Sequence, residues 1–450
     1  MDQINVSITS RETIKPSSPT PLNLKHFKLS LLDQLSPAAY VPMIIYYAPT
    51  PDSSDIKIQK RVHLLKKSLS ETLTEFYPLA GRVKENSFID CNDDGVDFIE
   101  ARVNFPLSRI IQQPEAEIID QFLPQEYHVP SNSSPIVLQS QVAVQVNIFS
   151  CGGIAIGTCI SHKLVDGITF TCFMNMWASK ARTASGKHFS PFFIGPHLFP
   201  AKDLSAALPV LNIPQAKNVT KRFVFDMQKI AFLRERVLEN SCVTRPSRVE
   251  LVSALIWKCA VDASRTKSAG SKTKTSTSFL TQTVNLRAKM DPPLPESAAG
   301  NLLWLAMAQE PNEGAEIGEF VCQVQKGLEK FDSEYVRKIQ GEDGFLVLSE
   351  TLKQIGELVS KDVEIYRCTS LRKSQVYEAD FGWGKPVWVS SAGLTFKNVV
   401  FLIESRDGNR IEAWVTLDEH EMAIFERNQE LLSFDSTVQD ASFLQLNSRL

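Results

Sequence analysis

Two short stretches hold residues whose types and spacing could do chemistry. The first is SHKLVDGITF, Ser161 to Phe170, in which a histidine is followed four residues later by an aspartate and then a glycine. Histidine is the side chain best suited to take a proton near neutral pH, provided it is held neutral and oriented. His162 is therefore a candidate general base. Asp166 has three available roles: orienting the imidazole, capping a following helix, or pairing with a base elsewhere. Spacing alone does not choose among them. The second stretch is Asp380, Phe381, Gly382, Trp383 and Gly384, followed by Lys385 and Pro386. Two glycines around a tryptophan, closed by a proline, describe a tight loop that only glycine torsions allow. A His-x-x-x-Asp spacing recurs by chance, so the five-residue DFGWG is the more specific signal. A kinase reading of DFG fails, because the chain has no glycine-rich phosphate loop and no HRD segment.

The elements around these residues follow from periodicity. Ile154, Ile156, Thr158 and Ile160 alternate with smaller residues, which predicts a buried strand running into His162. Phe170, Phe173, Met174 and Trp177 recur at helical spacing, which predicts a helix after Gly167. HKLVDG is thus a strand-to-helix turn, a place from which a rigid scaffold projects side chains into a cleft. The positive end of the following helix favours neutral imidazole. Val62 to Phe76 reads as a helix, and FIDCNDDGVDFIEARV as two strands around an Asn92 to Gly95 turn. In the second half, RVELVSALIWKCAVDASR is a helix and NVVFLIESRDGNRIEAWVTLD a hairpin turning at Asp407 and Gly408. Hairpins and crossovers occur together, so the class is α/β with mixed sheets and not a pure doubly wound sheet.

At 450 residues the chain is long enough for two cores. The seam lies between about 190 and 218, where Pro196, Pro200, Pro209 and Pro214 interrupt every periodicity. The expected organisation is a first domain over 1–190, a crossover linker over 191–218 and a second domain over 219–450. With 43% apolar residues, 22% charged and a net charge of −3, neither nucleic acid nor a membrane is an expected partner. The eight cysteines show no CxxC pair and no zinc-finger spacing, so they read as reduced core thiols and no metal is implied. No signal-peptide core and no run of about 18 uncharged apolar residues occurs, which predicts a soluble, cytoplasmic protein. Ser448-Arg449-Leu450 retains the small-basic-leucine chemistry of a peroxisomal address, the alternative location.

Taken together, HxxxDG and DFGWGKP resemble the plant BAHD acyl-CoA-dependent acyltransferases. The resemblance runs nearly end to end, through PSSPTP at 16–21, LDQL at 32–35, FYPLAGR at 76–82, DCNDDGV at 90–96, KRFVFD at 221–226, VNLR at 284–287, PPLP at 292–295, GN at 300–301 and IEAW at 411–414. The sequence looks closest to the branch containing vinorine synthase and deacetylvindoline acetyltransferase, which also contains acylsugar acyltransferases. The resemblance implies two domains similar to chloramphenicol acetyltransferase, with mixed sheets flanked by helices, a long crossover loop and a channel at their interface. It implies a monomer that needs no cofactor, with acyl-CoA, foremost acetyl-CoA, as co-substrate and a small-molecule alcohol as acceptor. His162 becomes the general base, and Asp166 turns away to pair with Arg287. DFGWG shapes the coenzyme A side without moving a proton. Ser247, Ser253, Lys258 and Asn301 fall in segments that border coenzyme A in relatives, and Lys258, Arg265, Lys267, Lys272 and Lys274 form a basic run available to its phosphates. Pro37, Tyr40 and Thr369 fall in segments that line the acceptor pocket.

One position departs from the pattern. Many relatives carry Thr-Ser-Trp nine residues before the DFGWG aspartate, where the indole can donate to the developing oxyanion. This chain has Thr369-Ser370-Leu371, and leucine has no donor. The expected acceptor is an alkaloid or terpenoid alcohol. An acylsugar-type transferase and a catalytically weak ligand-binding member of the fold are the alternatives.

Overall fold

A computed structural model describes residues 4–51, 54–128, 140–182, 190–204, 217–239, 242–268, 277–361, 363–371, 375–394 and 396–437. The carboxyl-terminal tripeptide, Lys272 and Lys274 lie outside the described residues.

Three sheets organise these residues. The first joins β1 (Val6–Ile14), β3 (Tyr40–Tyr47), β6 (Val96–Val103), β7 (Val142–Phe149), β8 (Ile154–Ser161) and β13 (Trp388–Ser390), in the order β1-β6-β7-β8-β3-β13. The second joins β9 (Asn218–Asp226), β10 (Phe279–Asn285), β11 (Leu303–Gln309), β12 (Ile365–Leu371), β14 (Val399–Glu404) and β15 (Arg410–Asp418), in the order β11-β10-β12-β14-β15-β9. A small sheet holds β2 (His26–Lys28), β4 (Arg82–Lys84) and β5 (Phe88–Asp90). Parallel pairs (β6 with β7, β10 with β12, β12 with β14) stand among antiparallel ones, so both large sheets are mixed.

The two large sheets face each other. Helices Asp55–Glu75 and Gly167–Ala181 supply Leu65, Leu69, Phe173 and Trp177 to the first core, and Trp177 donates its indole N–H to Leu65 O. Helices Arg248–Ser268 and Ile317–Glu329 cover one face of the second sheet, where Tyr366 and Cys368 pack. Leu371, Phe401, Ile403 and Trp414 point the other way and join the core of the first half. Period-two alternation along β12 separates Leu371 from Cys368 in this way. The second half also lends a strand: β13 pairs with β3, and Trp388 on it donates to Glu412 of β15. Residues 388–390 of the second half thus belong to the first sheet.

One sequence expectation gains detail and another needs correcting. The two strands expected around Asn92 to Gly95 form, β5 pairing in the small sheet and β6 in the large one, so the turn joins two sheets. Asp93 and Gly95 take positive φ, 61° and 89°, and Asp93 accepts hydrogen bonds from Thr20 and Lys25, which pull the chain aside. The cysteines are not all free. Cys242 and Cys322 are disulfide-bonded, with a Cα–Cα distance of 5.9 Å across a sequence separation of 80. Long-range packing of the 242–244 loop on helix Ile317–Glu329 makes the pair, and no spacing rule reaches that far; the other six are free thiols. Among the described residues no helix is long and apolar enough to cross a membrane, and no His/Cys/Asp/Glu group could hold a metal ion.

Candidate active site

β8 ends at Ser161, and the next residue begins the turn that carries the histidine. The turn is tied down along its backbone: His162 N donates to Ala39 O, and Lys163 N to the Ser161 hydroxyl. Lys163, Leu164, Val165 and Asp166 are buried, whereas His162 is half-buried and Gly167 exposed. The residues of HKLVDG that keep solvent contact are thus the histidine and the glycine.

Asp166 performs two of its three available roles. Its Oδ1 accepts from Thr169 N at 2.8 Å, capping helix Gly167–Ala181. The same carboxylate takes a bidentate pair from Arg287, Nη1 to Oδ2 at 2.7 Å and Nη2 to Oδ1 at 3.1 Å. Both side chains are almost fully buried, 3% and 2% exposed. Burial pushes the Asp166 pKa up, but the Arg287 guanidinium and the Thr169 hydrogen bonds outweigh it and hold the carboxyl below its ordinary value. Arg287 also donates to the carbonyls of Ala298 and Gly300. The pair therefore braces the histidine turn against the segment that precedes Asn301.

Asn301 touches the imidazole itself. Its Oδ1 lies 3.1 Å from His162 Nδ1, while its Nδ2 donates to His162 O at 2.7 Å and to Asp33 Oδ1 at 3.0 Å. Both amide hydrogens are committed, so Oδ1 must accept and Nδ1 must carry the proton. Nε2 is left with its lone pair. Burial lowers the His162 pKa, and the neighbouring Lys163 adds to it, against opposing contributions from its own backbone carbonyl, Asp166 and Asn301. Burial and the Asn301 contact thus hold the imidazole toward its neutral form in a defined tautomer.

Sequence reasoning missed two residues behind this arrangement. Asp33, in helix Leu31–Leu35, accepts from Asn301 N and Nδ2 on one oxygen and from Ser30 N and Oγ on the other. Burial raises its pKa, with those hydrogen bonds opposing. Lys163 donates to the carbonyls of Gln34 and Ser36 at the far end of the same short helix, and burial pushes its pKa down to about 8. LDQL stands out as a segment, but the partner of Asp33 lies 268 residues away. Nothing local announces it.

The remaining candidates divide. Pro37 and Tyr40 adjoin Ala39, the backbone partner of His162, and the Tyr40 hydroxyl donates to Ser140 O at 2.6 Å. Thr369 is half-buried on the inter-sheet face, 3.1 Å from the Thr283 hydroxyl. Leu371 reaches the histidine turn: a Cβ placed on Gly167 would sit 3.0 Å from its Cδ1. The three residues on and before helix Arg248–Ser268 are engaged elsewhere. Ser247 donates to Glu250 Oε1, Ser253 is buried and donates to Glu250 O, and Lys258 pairs with Glu430 and Asp262. Arg265 and Lys267 are likewise ion-paired, with Glu310 and with Asp418 and Glu421. The described part of the basic run is thus spoken for by carboxylates of the chain.

DFGWG closes on itself. Asp380 Oδ1 accepts from Gly382 N and Gly384 N at 2.8 and 3.0 Å, and both glycines have positive φ, 102° and 113°. Phe381 is fully buried against Trp177 and Tyr47, with Trp383 stacked on it. The Tyr47 hydroxyl donates to Ala379 O, so the loop is fastened to β3 just before the chain enters β13. Its contacts lie on the helix-covered side of the first sheet, the face opposite the second sheet.

Comparisons with known proteins show the family. Residues 4–432 match the family described as Transferase family. Epi-neemfruitin B 7-O-acetyltransferase of Melia azedarach is 38% identical over 446 residues, 95% of this chain and 97% of the relative. Stemmadenine O-acetyltransferase of Catharanthus roseus is 37% identical over 420 residues, 93% and 96% of the two chains. The crystal structure of vinorine synthase superposes with a TM-score of 0.80 at 36% identity, covering 96% of this chain and 98% of that one. With the motifs, the facing mixed sheets and relatives matched end to end, the chain belongs to the Transferase family of BAHD acyltransferases.

Proposed function

We propose that the protein is an O-acetyltransferase that moves the acetyl group of acetyl-CoA to a hydroxyl of a plant alkaloid or terpenoid. The observation that carries this reading is the half-exposed His162, whose Nδ1 is spent on Asn301 and whose Nε2 is available. Its relatives are named for acetyl transfer to a limonoid and an alkaloid, which supports the donor and the acceptor class.

In a ternary complex His162 Nε2 takes the hydroxyl proton as the alcohol oxygen attacks the thioester carbonyl. The tetrahedral intermediate then collapses, breaking the C–S bond, and the imidazolium returns the proton to the departing CoA thiolate. A neutral imidazole suits the first step, and the low dielectric that lowers its pKa also limits loss of the proton to water. Leu371 offers no donor to the oxyanion, so that charge falls to the Thr369 hydroxyl or to a backbone N–H.

The test is purified protein with a panel of acyl-CoAs and of alkaloid, terpenoid and sugar alcohols, read by free-CoA release and by mass of the product. Acetyl ester formation on an alkaloid or terpenoid hydroxyl is the expected result. Preferred transfer of longer acyl chains to sugar hydroxyls supports the acylsugar reading instead, and CoA release no faster than hydrolysis without acceptor overturns both.

A further inference from the structure

Three amides line one face of β7 and its immediate approach, Gln141, Gln145 and Asn147, and the fold treats them differently. Gln145 Nε2 donates to Gln121 O and to Asn147 Oδ1, and Asn147 Nδ2 donates to Phe122 O, so the Asp120–Phe122 turn satisfies that end of the row. Gln141 is equally buried, 0% exposed, yet neither its Oε1 nor its Nε2 has a hydrogen-bond partner. Buried amides are nearly always paired, and each exception calls for a reason.

Its position suggests one. Ser161 N donates to Gln141 O at 2.8 Å, continuing the β7–β8 register, and Ser161 stands opposite Tyr40 on β3. Gln141, Ser161 and Tyr40 thus form a row on one sheet face. By the same alternation that face carries Tyr46 and Trp388, and Trp388 meets Glu412 and Trp414 of the second sheet. Gln141 therefore stands on the face turned toward the second sheet, at the end where His162 follows Ser161. A hydrogen-bonded cross-strand neighbour is about 5.5 Å away and the next residue about 3.8 Å further, which puts the Cα atoms of Gln141 and His162 within roughly 9 Å. Close neighbours on its face are Ser161 and Ala143, both small, and the Tyr40 and Tyr127 hydroxyls are already engaged, by Ser140 O and by Asp97.

We propose that Gln141 recognises the acceptor: its amide pairs with a second oxygen function of the alcohol, a hydroxyl or carbonyl set apart from the hydroxyl that His162 deprotonates. The inference rests on the acetyl-transfer reading above and sharpens it to acceptors that are polyoxygenated on a rigid skeleton. A ring system of alkaloid or limonoid size spans the two points, and an amide serves either partner because it both donates and accepts. Such a site rejects an analogue lacking the oxygen, because the amide is then left unpaired.

The experiment uses full-length protein, saturating acetyl-CoA and pairs of alcohols, diols and hydroxy-ketones on alkaloid, limonoid and steroid skeletons, each with the counterpart that lacks the remote oxygen. Wild type is expected to prefer the oxygenated member by about tenfold or more in kcat/KM. In Gln141→Met the preference collapses toward unity through a higher acceptor KM, the KM for acetyl-CoA is unchanged, and the thermal midpoint rises as an unpaired amide is replaced by an apolar chain. Gln141→Leu serves if the methionine variant does not fold. A wild type without preference, or a variant that keeps it within twofold, overturns the proposal and leaves the amide to an internal water. If wild type shows no turnover, acetyl transfer is what fails. The same pairs are then compared by the thermal shift they give wild type and variant, and equal shifts overturn the binding role.

Discussion

The turn at His162 and the turn at Asp380 are built on the same device, an aspartate accepting backbone N–H groups beside glycine, and they use it for opposite ends. Asp380 spends one oxygen on Gly382 and Gly384 within its own loop and shapes five residues. Asp166 spends one N–H contact on its own helix and then reaches across to Arg287, which holds the carbonyls of Ala298 and Gly300 and so the approach to Asn301. A local loop can be rebuilt without disturbing the rest of the fold. A brace between the two halves cannot, because each partner is buried and neither can turn to water. The comparison teaches that the more recognisable motif fastens a strand, while the commoner one orders the turn of the histidine proposed as the base.

The largest effect expected is at the base. His162→Ala should lower kcat by about 10²- to 10⁴-fold with an unchanged far-ultraviolet circular dichroism spectrum, and a variant turning over near the parental rate would remove the mechanism. Next come the partners of the brace. Asp166→Ala and Arg287→Ala should each cost about 3–5 kcal/mol in urea unfolding, and the double variant much less than the sum, because the single changes strand a buried charge. A fully stable but inactive Asp166→Ala would make that carboxylate part of the chemistry. Asn301→Ala should reduce kcat by about 10- to 10²-fold while the KM for acetyl-CoA stays constant, since Nδ1–H loses the acceptor that sets the tautomer. At the other turn, Asp380→Ala should cost about 0.5–1.5 kcal/mol through the loss of its loop hydrogen bonds, whose exposed N–H groups turn to water, and leave the pH dependence of kcat/KM unaltered. An altered profile there would erase the contrast between the two turns.

The smallest effect is in pH. Burial holds the folded His162 pKa below the ordinary 6.5, so the folded state binds fewer protons than the unfolded one between those two values. Its contribution to stability is complete above pH 6.5 and falls as pH drops through that window, and the acid limb of kcat/KM should have its midpoint below 6.5. A midpoint at or above 6.5 would contradict the lowered pKa of the half-buried imidazole. Asp166 has the carboxylate sign: its folded pKa is depressed, so the stability it confers is present above the unfolded value and is lost as pH falls through the folded one.

Much was legible in the chain. Alternation at Ile154 to Ile160 and helical spacing from Phe170 to Trp177 placed His162 on a strand-to-helix turn, as β8 and helix Gly167–Ala181 show. Asp407 and Gly408 turned the predicted hairpin, with Gly408 at φ 71°. These features depend on residues within one turn or one strand of each other, and local sterics and periodicity decide them. Asp93 shows the limit: two strands were predicted around it, but which sheets they join is settled by Thr20 and Lys25, about 70 residues earlier.

What the sequence by itself determined, then, is the position of His162 on its turn, the closing glycines of DFGWG and, by resemblance, the pairing of Asp166 with Arg287. Only the tertiary structure decided that Asn301 sets the imidazole tautomer, that Asp33 holds Asn301, that Lys258 is engaged by Glu430 and that Gln141 alone in its row of amides is left without a partner. The reason is physical. A backbone turn is chosen by torsions a few residues can enforce, whereas a hydrogen bond between side chains more than a hundred residues apart exists only once two sheets have packed face to face.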